Sequence, residues 1–259
     1  MTIILAISVL IGLIFAPLGC LVLWKRYVYF GDGLAHASML AAVLSVIAGI
    51  PILYAGIINT ILFAIAVFKL KGKSGNNAAI GLTSSLMIAS ALILSYIFPG
   101  QFNFNSLLFG DIVAANNNDA LILCAILLAV IIFFATTYHN LILITLSKDI
   151  AHSQGVRVNA LELLFLSILS FAVLATIKIV GALLVTSIIL IPAMVARLMA
   201  KSPSGMIFIA IIVAQLMNVF GVILSFYADM PFAPVIILCG GVIYIIFLIL
   251  SKLLQRVRR

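Results

Sequence analysis

The stretch FGDGLAHAS, Phe30 to Ser38, holds an aspartate and a histidine four residues apart, Asp32 and His36, within a chain that is 66% hydrophobic. On a helix that spacing puts both side chains on one face. A carboxylate and an imidazole so placed can share a metal ion or a proton. Oxygen and nitrogen donors suit zinc, manganese or ferrous iron and are poor for copper(I). Two donors do not complete a tetrahedral zinc shell. A second copy about a two-fold axis, the commonest oligomeric symmetry, would supply another Asp32 and His36. A plainer reading stands beside this one. Asp32 follows Lys25 and Arg26 closely and precedes an apolar run, so it can act as a helix N-cap. His36 can donate a hydrogen bond to a neighbouring helix. Spacing alone leaves cap and ligand level.

Other residues able to do chemistry are few. The acids are Asp32, Asp111, Asp119, Asp149, Glu162 and Asp229, and only Asp32 has a histidine four residues on. Ionisable groups within membrane spans are costly and by default mark a pathway. Gly72-Lys73-Ser74 looks like the end of a phosphate-binding loop. The first glycine of that motif, however, falls on Val67, inside an apolar run. These residues read as a solvated basic loop, and any ATP that powers the protein is bound by another chain. The three cysteines, Cys20, Cys124 and Cys239, form no CxxC and read as small apolar residues. No HExxH occurs, so a membrane metalloenzyme lacks its ligands.

The elements that carry these residues follow from composition. Only 8% of the 259 residues are charged and mean hydropathy is +1.42. Soluble domains are about 25% charged, so this is an all-α, polytopic membrane protein read as one transmembrane domain over 1–259. Nine apolar runs are long enough to be spans: 3–23, 30–50, 52–69, 79–98, 120–138, 159–177, 180–200, 206–226 and 232–250. The break at 177–180 is the weakest, and eight to ten spans is the range. Backbone groups must be satisfied internally in lipid, which favours helices.

The formal net charge is +8. Its distribution points to a membrane rather than to nucleic acid. Basic residues cluster at Lys25/Arg26, Lys69/Lys71/Lys73, Lys148/Arg157, Arg197/Lys201 and Lys252/Arg256/Arg258/Arg259. Two spans separate each cluster from the next, so every basic residue but Lys178 falls on one side. The positive-inside rule makes that side cytoplasmic. Three connections have content, of which the first, KLKGKSGNN at 69–77, is basic and then polar. SLLFGDIVAA, within 99–119 on the external side, reads as a short amphipathic or re-entrant helix. The segment 138–160, on the cytoplasmic side, contains a helical stretch, Lys148 to Gln154, followed by Gly155. Glycine is favoured just past a helix end. A short helix there can dock a partner or simply connect two spans.

Several segments are similar to the permeases of bacterial ABC-type metal-uptake systems, above all the zinc-uptake (ZnuB-type) permeases. They are FAPLGCLVLWKRYVYFGDGLAHASMLAAVLS (15–45), LLFGDIVA (107–114), LSKDIAHSQGV (146–156), KIVGALLVTSIILIPAMVARLMAKSP (178–203) and YADMPFAPVIIL (227–238). The resemblance implies an ABC importer permease fold and a homodimeric pore in the bacterial inner membrane. It implies an ATP-binding subunit on the cytoplasmic face and a periplasmic or lipid-anchored metal-binding protein. Zinc(II) would be the transported substrate, with no covalently bound cofactor and no enzymatic activity. Manganese or iron import by the same family is the alternative. The resemblance also favours Asp32 and His36 as metal ligands over the cap reading. It makes the cytoplasmic D-x-A-x-x-x-G-V segment, Asp149, Ala151, Gly155 and Val156, the ATPase-coupling helix. An ion-driven secondary transporter is the rival class. It would show inverted repeats and several mid-span acids, and neither is evident.

Overall fold

The computed structural model describes residues 2–98, 110, 112 and 115–257, most of them helical. The helices are α1 Thr2–Trp24, α2 Phe30–Ala48, α3 Ile52–Ser74, α4 Asn76–Ile97, α5 Asn117–Leu146, α6 Lys148–Ser153, α7 Val158–Val180, α8 Ala182–Met199, α9 Pro203–Ala228 and α10 Phe232–Val257. Eight are long and apolar enough to cross a membrane, and α8 contributes a shorter apolar stretch, Leu184–Met199. The nine expected spans therefore correspond to α1–α5 and α7–α10. The weak break falls at Gly181, whose φ of +85° is a conformation that glycine adopts freely.

Two corrections concern connections. The expected span 120–138 runs on to Leu146, because Leu141 and Ile144 are buried and extend the apolar face past Tyr138, His139 and Asn140. Gly72, Lys73 and Ser74 are not a solvated loop but the last turn of α3. The stretch SLLFGDIVAA lies largely outside the described residues.

Packing divides the bundle into two interlocked groups. Helices α2, α3 and α4 pack together, and α1, α8, α9 and α10 pack together. Helix α7 lies against α3 and α5, while α8 joins the groups by packing on both α1 and α2. With no hydrophobic force between helices in lipid, close approach depends on small residues and interhelical hydrogen bonds. Gly19 of α1 faces the carbonyl of Ile189 in α8 with no room for a Cβ. The Asn218 amide donates to the Ser8 carbonyl at 2.8 Å, and the Gln215 amide to the Val9 carbonyl at 3.1 Å, holding α9 on α1.

Side-chain contacts identify the two ends of the bundle. At one end the Asn76 amide donates to the Lys25 carbonyl at 2.7 Å, and Lys71 pairs with Glu162 at 2.5 Å. The connections after α1 and α3, and the base of α7, thus share one end, as the charge clusters require. At the other end Lys178, the one basic residue outside the clusters, pairs with Asp119 at 3.0 Å. Asp119 also closes a capping box with Asn116 at the start of α5. The Lys25 end is cytoplasmic by the positive-inside rule.

Candidate functional site

Helix α2 places the acid and the imidazole. Its N-cap is Tyr29, with no side-chain cap bond, and Asp32 is the third helical residue. The cap reading of Asp32 is therefore wrong, although a carboxylate in a first turn still gains from the helix dipole. Asp32 Oδ1 lies 3.5 Å from His36 Nε2. Their side chains are 45% and 33% exposed, while Gly31, Gly33, Leu34, Ala35, Ala37 and Ser38 around them are buried. The pair thus occupies the open face of a helix that is otherwise packed on three sides.

Glycines set the depth of the pair. A Cβ on Gly31 would lie 3.1 Å from Ile189 Cδ1 and 3.2 Å from the Thr186 hydroxyl, both on α8. A Cβ on Gly33 would lie 2.6 Å from Ile80 Cγ2 on α4 and 3.3 Å from the Phe63 ring on α3. At 1.5 Å per residue, Phe63 is about 12 Å from Lys71 along α3, and Ile189 about 15 Å from Met199 along α8. The start of α2 therefore lies inside the bundle, deep along α3 and α8 but only about 6 Å past Asn76, the cytoplasmic start of α4. The connection from Lys25 to Tyr29 runs inward to reach it. The Asn59 amide of α3 donates to the carbonyl of Ala37 at 3.1 Å, fixing the backbone beside His36.

The spacing of the pair is compatible with an ion pair or with two donors to one ion. Tetrahedral bonds of about 2.0–2.1 Å to zinc put two ligand atoms about 3.3–3.4 Å apart. The observed 3.5 Å is close to that edge. Among the described residues no group of three or more His, Cys, Asp or Glu gathers in one place. One chain thus places two donor side chains here.

The short cytoplasmic helix is present as α6. The Ser147 hydroxyl accepts from the Ile150 amide at 3.4 Å at its start. It ends at Ser153, and Gly155 takes φ +76°. Ala151 is fully buried against Ile144 and Val158, with half-buried Val156 packed on the same cluster. Asp149, His152 and Gly155 are exposed. Of the four residues read from the sequence, Ala151 and Val156 therefore seat the helix, and Asp149 and Gly155 face outward. Leu146 and Ile150 are also outward, 76% and 51% exposed. The sequence reading did not single out these two, apolar residues four apart at the start of the cytoplasmic segment.

A second buried group was also missed. The Tyr27 hydroxyl donates to Glu162 Oε1 at 2.7 Å, and Lys71 Nζ lies at Oε2 of the same carboxylate. Burial, then the Glu162 charge and hydrogen bond, push the Tyr27 hydroxyl well above its ordinary range, so it remains a donor. Burial lowers the Lys25 ammonium, and Glu162 opposes that shift. Glu162 lies five residues into α7 and looks in the sequence like one more acid near a helix end.

The ABC 3 transport family matches residues 1–251. The high-affinity zinc uptake system membrane protein ZnuB of Haemophilus influenzae is 29% identical over 246 residues, covering 93% of this chain and 94% of that protein. The manganese import system permease protein ScaB of Streptococcus gordonii is 24% identical, covering 92% and 87%. The solved structure of PsaBC from Streptococcus pneumoniae in complex with Fab has a similar fold, with a TM-score of 0.81 at 24% identity over 95% of this chain and 90% of that one.

Proposed function

The chain belongs to the ABC 3 transport family, and on that footing we propose that it moves zinc(II) through a site built on Asp32 and His36. It is the permease subunit of an ABC-type metal importer, a multi-pass protein of the bacterial inner membrane and a pore component rather than an enzyme. Membership removes the ion-driven secondary transporter from consideration. The proposal concerns the metal, its ligands and the coupling contact, within one permease domain spanning 1–259. The observation that carries it is the 3.5 Å separation of Asp32 Oδ1 and His36 Nε2 on the open face of α2, inside the bundle.

Zinc is favoured by the likeness to ZnuB proteins. The donor atoms equally accept manganese or ferrous iron, and relatives named for manganese and iron transport share the fold length. Two ligands per chain leave the zinc shell half filled, so a homodimer with both Asp32–His36 pairs at its axis completes it. A metal-binding protein delivers the ion on the external side. An ATP-binding subunit docks on α6 through Asp149, Ile150 and the turn at Gly155, while Ala151 and Val156 hold α6 to the bundle. ATP-driven movement of α6 then shifts the pore between states that bind the ion differently, as transport requires.

The test is zinc accumulation in cells lacking other zinc uptake, with Asp32→Ala and His36→Ala at matched protein levels. Both variants are expected to lose uptake at limiting zinc. Wild-type uptake by both would end the ligand assignment. Competition by manganese or iron in the same assay decides the metal.

A further inference from the structure

The Tyr27–Glu162–Lys71 group joins α7 and α3 to the connection that leads into α2. We infer that Glu162 is a positioning residue which, through Tyr27, makes the start of α2 follow α7 and α6. The inference rests on the reading of α6 as the docking helix and of Asp32 and His36 as ligands.

A continuous set of buried contacts supports it. Ala151 of α6 packs with Val158 at the base of α7. Val158 and Glu162 are four residues apart, so they share a face of α7, and both are buried, at 2% and 3% exposure. Glu162 takes the Tyr27 hydroxyl on one oxygen and the Lys71 ammonium on the other. Hydrogen bonds to an ionised, buried partner are among the strongest and most directional available. Tyr27 is itself fully buried, and its carbonyl accepts from the Phe30 amide at 2.9 Å in the first turn of α2. Its ring meets Phe30 edge-on at 6.3 Å and Phe165 of α7 at 6.2 Å. Asp32 follows five residues after Tyr27. A displacement of α7 thus reaches the first turn of α2 through packed rings and one charged hydrogen bond to Tyr27, which is buried in the short connection that leads into α2.

A carboxylate that only holds the fold together would have the same contacts. The two roles separate in the ratio of metal moved to ATP hydrolysed. A fold defect lowers both together, whereas a broken linkage lowers the ratio. Tyr27→Phe removes one oxygen and keeps both ring contacts. Glu162→Gln keeps an acceptor for Tyr27 and removes the charge that holds Lys71.

The experiment reconstitutes the permease in proteoliposomes with its ATP-binding subunit and metal-binding protein, and supplies zinc(II). Tyr27→Phe is expected to lower zinc moved per ATP by about fivefold or more, the lower end of typical coupling, with ATP hydrolysis within about twofold of wild type. Glu162→Gln is expected to lower the ratio as well, and the double variant to add little, as for residues acting as one unit. An unchanged ratio in both single variants overturns the inference. So does loss of the assembled complex in both, which would make the group a folding element. Asp32→Ala is run alongside. Wild-type transport by that variant counts against the ligand assignment alone, whereas lost transport with an unchanged Tyr27→Phe ratio counts against the linkage alone.

Discussion

The Asn59 side chain of α3 donates to the main-chain carbonyl of Ala37, the residue after His36, across 3.1 Å of buried interface. A polar side chain thus fixes the helix that carries Asp32 and His36 by its backbone, without engaging the His36 ring. Interhelical hydrogen bonds of this kind average about 0.6 kcal/mol and reach about 1–2 kcal/mol. Asn59→Ala is expected to lower the thermal midpoint of the purified protein by a corresponding small amount. Zinc uptake is expected to fall further than stability does, because α2 loses a fixed register beside the ligand. An uptake loss no larger than the loss of folded protein would contradict this.

Gly33 gives a sharper steric test. A methyl group there would lie 2.6 Å from Ile80 Cγ2, a branch-point methyl that cannot swing away. Overpacking of this kind costs about 1–3 kcal/mol. Gly33→Ala is expected to reduce the yield and thermal stability of the permease, and Ile80→Ala in the same chain to restore part of both. Absence of any rescue would place the clash elsewhere.

The turn after α6 makes its own demand. Gly155 has φ +76° and its amide donates to the His152 carbonyl at 3.0 Å. Proline fits neither requirement. Gly155→Pro is expected to abolish co-purification with the ATP-binding subunit. Ile150→Asp, which changes only an exposed side chain, is expected to weaken it without altering the thermal midpoint. Retained binding in both variants would move the docking surface away from α6.

The external ion pair is expected to matter little. Lys178 and Asp119 meet at 3.0 Å, but the lysine side chain is 61% exposed. Exposed pairs contribute about 0.2–1 kcal/mol. Lys178→Ala is expected to leave zinc uptake unchanged and the thermal midpoint nearly so. A large loss of uptake would reveal a role for this lysine beyond pairing.

Much of this architecture is legible in the sequence because lipid imposes long apolar helices, and the basic clusters mark one set of their ends. The same holds for Gly155 past a short helix. The depth of Asp32 is not legible. It follows from Gly31 and Gly33 fitting against Ile189, Ile80 and Phe63, which are distant in sequence. Glu162 is hidden for a similar reason, since its partners Tyr27 and Lys71 come from the α1–α2 connection and from α3. The extension of α5 to Leu146 is missed because Tyr138, His139 and Asn140 interrupt the hydropathy without interrupting the helix.

Three of the four external connections are very short: Gly49–Pro51, Gly181 and Asp229–Pro231. Segments of one to three residues tied at both ends to helices have little conformational entropy left to lose. A delivery protein that settled on these three turns would order almost nothing there, and ordering is one of the main costs of association. At these three turns, docking and release would be set by shape rather than by loop folding.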